Sequence, residues 1–97
     1  MNIGRHANFD YFDGIRINIY YDEHLPPHIH AEYGEDEVLL VIESGEIYEG
    51  WLPVKQLKKS RKWLTVNRPD AIAAFKALNP HLYAPRKKKI KNIKGKK

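Results

Sequence analysis

The hydrophobic period of this chain changes once, at Leu52-Pro53, and that switch divides it into a strand-forming half and a helix-forming half. Before it, Gly14-Ile15-Arg16-Ile17-Asn18-Ile19-Tyr20-Tyr21 alternates strictly. Ile15, Ile17, Ile19 and Tyr21 therefore share one face of a strand, and Arg16, Asn18 and Tyr20 the other. Pro26 and Pro27 stiffen the approach to a second strand, His28 to Tyr33, which sets His28, His30 and Glu32 against Ile29, Ala31 and Tyr33. Val38 to Ile42, apolar throughout, reads as a third and central strand. After a Glu43-Ser44-Gly45-Glu46 turn, Ile47 to Trp51 reads as a fourth.

Past the switch, Pro53 suits a first helical turn, and a helix is predicted from there to Asn67 with Val54, Leu57 and Leu64 on its buried arc. Asn67-Arg68-Pro69-Asp70 predicts a break and a second helix, with Ala71, Ile72, Ala74, Phe75 and Leu78 facing inward, ended by Asn79-Pro80. The expected fold is α+β: a four-stranded antiparallel meander whose apolar face is covered by two helices, followed by a basic tail. Residues 1–85 make the single domain and 86–97 the tail, which is expected to be disordered alone.

Charge divides at the same place. Residues 1–51 carry two basic and eleven acidic side chains, net −9, whereas residues 52–97 carry fifteen basic and one acidic, net +14. Lys55, Lys58, Lys59 and Lys62 share one stripe of the first helix, with Trp63 and Val66 at its edge as a prospective contact surface. These lysines repel one another at i,i+3 and i,i+4 spacings. Phosphate, an acidic partner surface, or the acidic half of the same chain would relieve that repulsion. With Arg86, Lys87, Lys88 and Lys89 of the tail, they are the candidate nucleic-acid contacts. There is no cysteine, so disulfides and thiolate chemistry are excluded. No stretch approaches the roughly 20 apolar residues of a membrane span or the run of a signal peptide, which leads to the expectation of a cytoplasmic protein without membrane contact.

Three of the five histidines crowd into Asp22-Glu23-His24-Leu25-Pro26-Pro27-His28-Ile29-His30, and three readings compete for them. As an acid/base pair without metal, His28 and His30 would transfer protons to and from a ribose 2′-hydroxyl and a leaving oxygen. Arg16, Tyr20, Glu32 and His24 would be the neighbouring phosphate-binding and proton-handling groups. As a metal site, His-x-His on a strand presents two imidazoles from Cα atoms roughly 7 Å apart. Asp22, His24, Glu32 or His81 would then have to supply the third ligand. In a purely structural role, the histidines hydrogen-bond the Pro-Pro turn or form an interface.

The run Ile15-x-Ile17-x-Ile19-Tyr20, then Asp22-x-His24-x-Pro26-Pro27-His28-Ile29-His30-Ala31-x-Tyr33-Gly34, then Glu43-x-Gly45-Glu46, Gly50-x-Leu52-Pro53 and Trp63 resembles domain-of-unknown-function family 4160 over about residues 14–70. The resemblance implies a small bacterial protein associated with toxin–antitoxin pairs, and a small antitoxin-like partner, some of which carry a helix-turn-helix. The resulting expectation is a toxin-like component of a type II pair, a metal-independent ribonuclease working through the histidine pair and needing no cofactor. A non-enzymatic adaptor that binds RNA or DNA through the lysine stripe and tail is the alternative, and a His-x-His metal hydrolase the third.

Overall fold

The computed structural model describes residues 6–21 and 23–83, with side chains from residue 9 onward. Five strands, β1 (His6–Phe12), β2 (Ile15–Tyr20), β3 (His28–Tyr33), β4 (Asp36–Val41) and β5 (Ile47–Gly50), form one antiparallel meander in chain order. One helix, α1 (Val54–Leu78), and a 3-10 turn at Pro80–Leu82 follow. The expected four strands and two helices are thus corrected, among the described residues, to five strands and one helix, within the same α+β class.

The extra strand is β1. Its register with β2 shifts between Asn8 and Asp10, a bulge that breaks the period-2 pattern by which strands are read. Asp13 (φ 49°) and Gly14 (φ 79°) close the hairpin as a two-residue turn whose positive φ values match the twist of the flanking strands. The single helix replaces two because the expected break is only a kink. Asn67 leaves helical geometry (φ −107°, ψ 16°), and Pro69 sits inside the helix. The ring of Pro69 cannot donate to the preceding turn, and the local departure at Asn67 absorbs the clash without ending the helix. Asn67 Nδ2 meanwhile donates to the Trp63 carbonyl at 2.9 Å.

The alternation of β2 and β3 appears directly in the packing. Ile15, Ile17, Ile19, Ile29 and Ala31 are fully buried, together with Val38, Leu40, Leu64, Ala71 and Phe75. Helix α1 lies across this face against β2 and β3. Burial of each large apolar side chain contributes about 1.5–3 kcal/mol, so this face dominates stability. Val54, expected inside, is 68 % exposed. Trp63, expected at the edge of the lysine stripe, is buried: its Nε1–H donates to Asp10 Oδ2 at 2.7 Å and its ring meets the edge of Phe9. Both partners belong to β1, so the strand that alternation does not reveal is the one that buries the tryptophan. Val66 stays exposed. Arg61 and Arg68 tie α1 to the Gly45 and Ile42 carbonyls of the β4–β5 connection, at 2.8 and 2.7 Å.

Among the described residues no helix is long and apolar enough to cross a membrane. The tail expectation, with Arg86, Lys87, Lys88 and Lys89, lies outside the described residues.

Candidate functional site

On the face of β2 and β3 turned away from the main core, register sets Arg16 opposite Glu32 and Asn18 opposite His30. Two polar clusters result. In the first, Glu32 accepts from Arg16 Nε and Nη2 at 3.3 and 3.2 Å, from Asn18 Nδ2 at 3.0 Å and from the Tyr20 hydroxyl at 3.1 Å. Burial alone would raise the Glu32 pKa, but the hydrogen bonds from Asn18, Tyr20 and Arg16 and the Arg16 charge outweigh it and hold the carboxyl below its ordinary value. Burial, reinforced by the Glu32 carboxylate, pushes the Tyr20 phenol up to about 12. Arg16 also reaches the Gly34 carbonyl, so its guanidinium is committed to the fold.

The second cluster contains His28, His30 and a residue absent from the sequence-based candidates, Glu23. His28 Nδ1 lies 2.8 Å from the Pro26 carbonyl. A carbonyl only accepts, so Nδ1 carries the proton and in the neutral ring the Nε2 lone pair is free. That Nε2 is buried without a hydrogen-bond partner among the described residues, and the side chain has 0 % exposure. It faces Glu23 Oε1 at 3.3 Å, close but not aligned for a hydrogen bond. A lone pair turned on a carboxylate is repulsive unless a proton or a cation lies between them. His30 differs, because both its nitrogens are hydrogen-bonded: Nδ1 meets Glu37 Oε2 at 2.7 Å and Nε2 meets Glu23 Oε2 at 3.0 Å.

The donor atoms of Glu23, His28 and His30 lie within 4.8 Å of one another. Donors at zinc bonds of 2.0–2.1 Å stand about 3.3 Å apart on a tetrahedron; here Glu23 meets the two imidazoles through different oxygens, Oε1 at 3.3 Å from His28 and Oε2 at 3.0 Å from His30, so each ring has one carboxylate oxygen near that spacing. Each imidazole presents Nε2 inward and has Nδ1 held by an oxygen behind it, the outer-shell arrangement that orients metal-ligating histidines. The residues present therefore fit a divalent cation with a preference for nitrogen and oxygen donors.

Long-range contacts place Glu23. Its backbone N–H donates to Asn79 Oδ1 at 2.6 Å, and Asn79 Nδ2 donates to the carbonyls of Tyr20 and Phe75 at 2.9 and 3.0 Å. The fully buried Asn79 at the end of α1 thus staples the β2–β3 connection. Beyond the kink, α1 also sets Phe75 beside His28, with ring centroids 5.6 Å apart. Glu37 is fixed from behind: Trp51 N donates to its carbonyl at 2.9 Å, and a Cβ at Gly50 would collide with that carbonyl.

Of the other sequence-based candidates, Tyr20 sets its ring edge on His30, centroids 4.3 Å apart, while its hydroxyl belongs to the Glu32 cluster. His24 is exposed at the rim, its ring 5.6 Å from His28 and 5.9 Å from Tyr48. Among the described residues His81 bonds only the Glu23 carbonyl, at 3.2 Å, and Glu32 is spent on Arg16 and its neighbours, so neither joins Glu23, His28 and His30. Lys55, Lys58, Lys59 and Lys62 ride on α1, across the sheet from the histidines, and form no cradle around them.

Fold and site together define a small antiparallel sheet backed by one helix, with a partly buried two-histidine, one-carboxylate cluster at the end of its central strand. The family described as a domain of unknown function, DUF4160, matches residues 14–76, more than half of the chain, and the protein belongs to that family. The matched stretch includes Glu23, His28, His30 and Glu37 but neither β1 nor Asn79. Comparisons with curated proteins and with solved structures give no significant match.

Proposed function

We propose that the protein is a metal-dependent hydrolase whose centre is a divalent cation, of the zinc type, held by Glu23 and by Nε2 of His28 and His30. The observation that carries this reading is the buried, partnerless Nε2 of His28, aimed at a carboxylate while its Nδ1 proton is committed to the Pro26 carbonyl. A site with three protein ligands has room for a further one, the mark of catalytic rather than structural zinc. His30 and Glu23 keep 12 % and 17 % side-chain exposure, which gives that position a route to solvent. Held by these three residues, a divalent ion would supply Lewis acidity toward a phosphoryl or carbonyl oxygen and toward water. The chain's own contribution is to hold the ligands: the Pro26 carbonyl and Glu37 hold the Nδ1 side of the two imidazoles, Asn79 anchors the Glu23 backbone, and His24 at the rim is the imidazole available to move a proton.

The toxin-like role suggested by the resemblance belongs to the same proposal, with an RNA phosphodiester as the first bond to try. The metal-free version loses ground to the metal-dependent one, since the fully covered His28 side chain has no surface with which to reach a ribose hydroxyl. Metal analysis and zinc titration of protein purified without a histidine tag test the reading, followed by hydrolysis assays on a chromogenic phosphodiester and on RNA. About one equivalent of metal, lost in Glu23→Ala and His30→Ala, is expected, with hydrolysis that follows the metal content. Failure of zinc, manganese, cobalt and nickel to bind the untagged protein would overturn it.

A further inference from the structure

A second surface, across the sheet from the histidines and independent of them, combines charge and apolar area. A groove of about 400 Å³ lies between α1 and the β1–β2 turn, lined by Phe12, Asp13, Lys59, Lys62, Trp63 and Val66. Trp63 is its largely buried floor, and Val66 stands on its wall 71 % exposed. Tyr11, also on β1, is 64 % exposed. Among the described residues strand β1 is an edge of the sheet, with one side unpaired in the meander. Of the four lysines, Lys59 pairs with Asp13 at 3.0 Å; among the described residues, Lys55, Lys58 and Lys62 have no ion-pair partner.

The acidic half of the chain therefore compensates one lysine of the stripe and leaves three. Lysines at i,i+3 and i,i+4 spacings repel one another along a helix, and an outside anion would relieve the repulsion among the three left over. An anion alone has no use for Val66 and the apolar groove. Phosphate would also meet the Asp13 carboxylate at the rim, where Lys59 is already neutralised. The complement of cations flanking an apolar trough is a segment with carboxylates along its sides and apolar side chains beneath.

We propose that this face of α1, with the β1–β2 turn, is the docking site for an acidic amphipathic segment of a partner protein. Its apolar side chains seat on Phe12, Trp63 and Val66, and its carboxylates lie over Lys55, Lys58 and Lys62.

The test uses the full chain carrying Trp51→Phe, which leaves Trp63 as the sole tryptophan and the fluorescent reporter of the groove. The probe is a synthetic peptide with leucines at helical spacing and glutamates elsewhere. Titration is expected to change Trp63 emission, with affinity falling about tenfold in Val66→Glu and again in Lys58→Glu/Lys62→Glu, while His30→Ala leaves it unchanged. Val66 and both lysines are exposed, so these variants keep their fold, which circular dichroism checks. Equal binding by a peptide of the same composition in shuffled order, or by a single-stranded RNA of equal charge, would overturn the proposal in favour of unspecific attraction. So would indifference to Val66→Glu. Self-association of the free chain in sedimentation, abolished by Val66→Glu, would assign the groove to a second copy instead.

Discussion

Two polar clusters sit side by side on the same face of the same two strands, built from similar residues, and they differ in whether their charges are satisfied. Around Glu32 every lone pair is matched: a guanidinium, an amide and a phenol converge on one carboxylate. Around Glu23 two imidazoles converge on one carboxylate: His30 is bonded at both nitrogens, to Glu23 and Glu37, whereas His28 turns its proton-bearing Nδ1 to the Pro26 carbonyl and its buried Nε2 is left over among the described residues. Hydrogen-bond completeness, not residue type, is what separates the two clusters, and the proposed metal centre rests on that difference.

The comparison is broken most directly at its strongest contrast. Glu23→Ala or His30→Ala is expected to lower zinc affinity by at least about a hundredfold, beyond the 10–100-fold cost of losing an outer-shell partner, in a competition titration with a chromophoric chelator. Glu32→Ala should do the reverse. It strands Arg16, Asn18 and Tyr20, costs about 2 kcal/mol in urea unfolding of the metal-free protein, and leaves zinc affinity within about threefold. Equal losses of zinc affinity from Glu32→Ala and Glu23→Ala would merge the two clusters into one site.

A smaller effect sharpens the division. Glu37 touches the proposed centre only through His30 Nδ1, so Glu37→Ala is expected to weaken zinc binding about tenfold, and Glu37→Gln, which keeps an acceptor oxygen, by less. The electronic spectrum of the cobalt-substituted protein should shift with the former, a change that loss of stability alone would not produce.

The smallest effects are in pH. The folded pKa of Glu32 is depressed, so its stabilisation is present above the unfolded carboxylate value, near about 4.3, and is lost as pH falls through the folded value. The gap in urea stability between metal-free wild type and Glu32→Gln should therefore close on acidification below that point. Tyr20 is raised, so its contribution is complete below the unfolded value of about 10 and is lost as pH rises through about 12. Phenolate absorbance should show a late step near pH 12 that Tyr20→Phe removes.

Much of the fold was legible because one face of each strand must be dry. Alternation in β2 and β3 identified Ile15, Ile17, Ile19, Ile29 and Ala31 as core, and each is fully buried. The fifth strand went unread because its bulge breaks the alternation, although Asp13-Gly14, a dipeptide that favours the two-residue hairpin, marked its end. Pro69 misled in the opposite direction: proline disfavours helix locally, but Ala71 and Phe75, buried against the sheet, hold the chain helical beyond the kink.

For the site, sequence spacing by itself placed His28 and His30 on one side of a strand, since the period of two is a property of the extended backbone. It also separated an acidic half from a basic one and excluded thiolate chemistry. Only the tertiary structure decided that the third member is Glu23, neither Glu32, two residues beyond His30, nor His24. Glu32 was claimed by Arg16, its cross-strand neighbour, through a register that single-strand periodicity does not contain. Glu23 lies in an irregular connection whose position depends on Asn79, far along the chain, and on a kinked helix that brings it there. The orphaned Nε2 of His28 is likewise a product of packing, because which nitrogen of a histidine is free depends on what the other one touches.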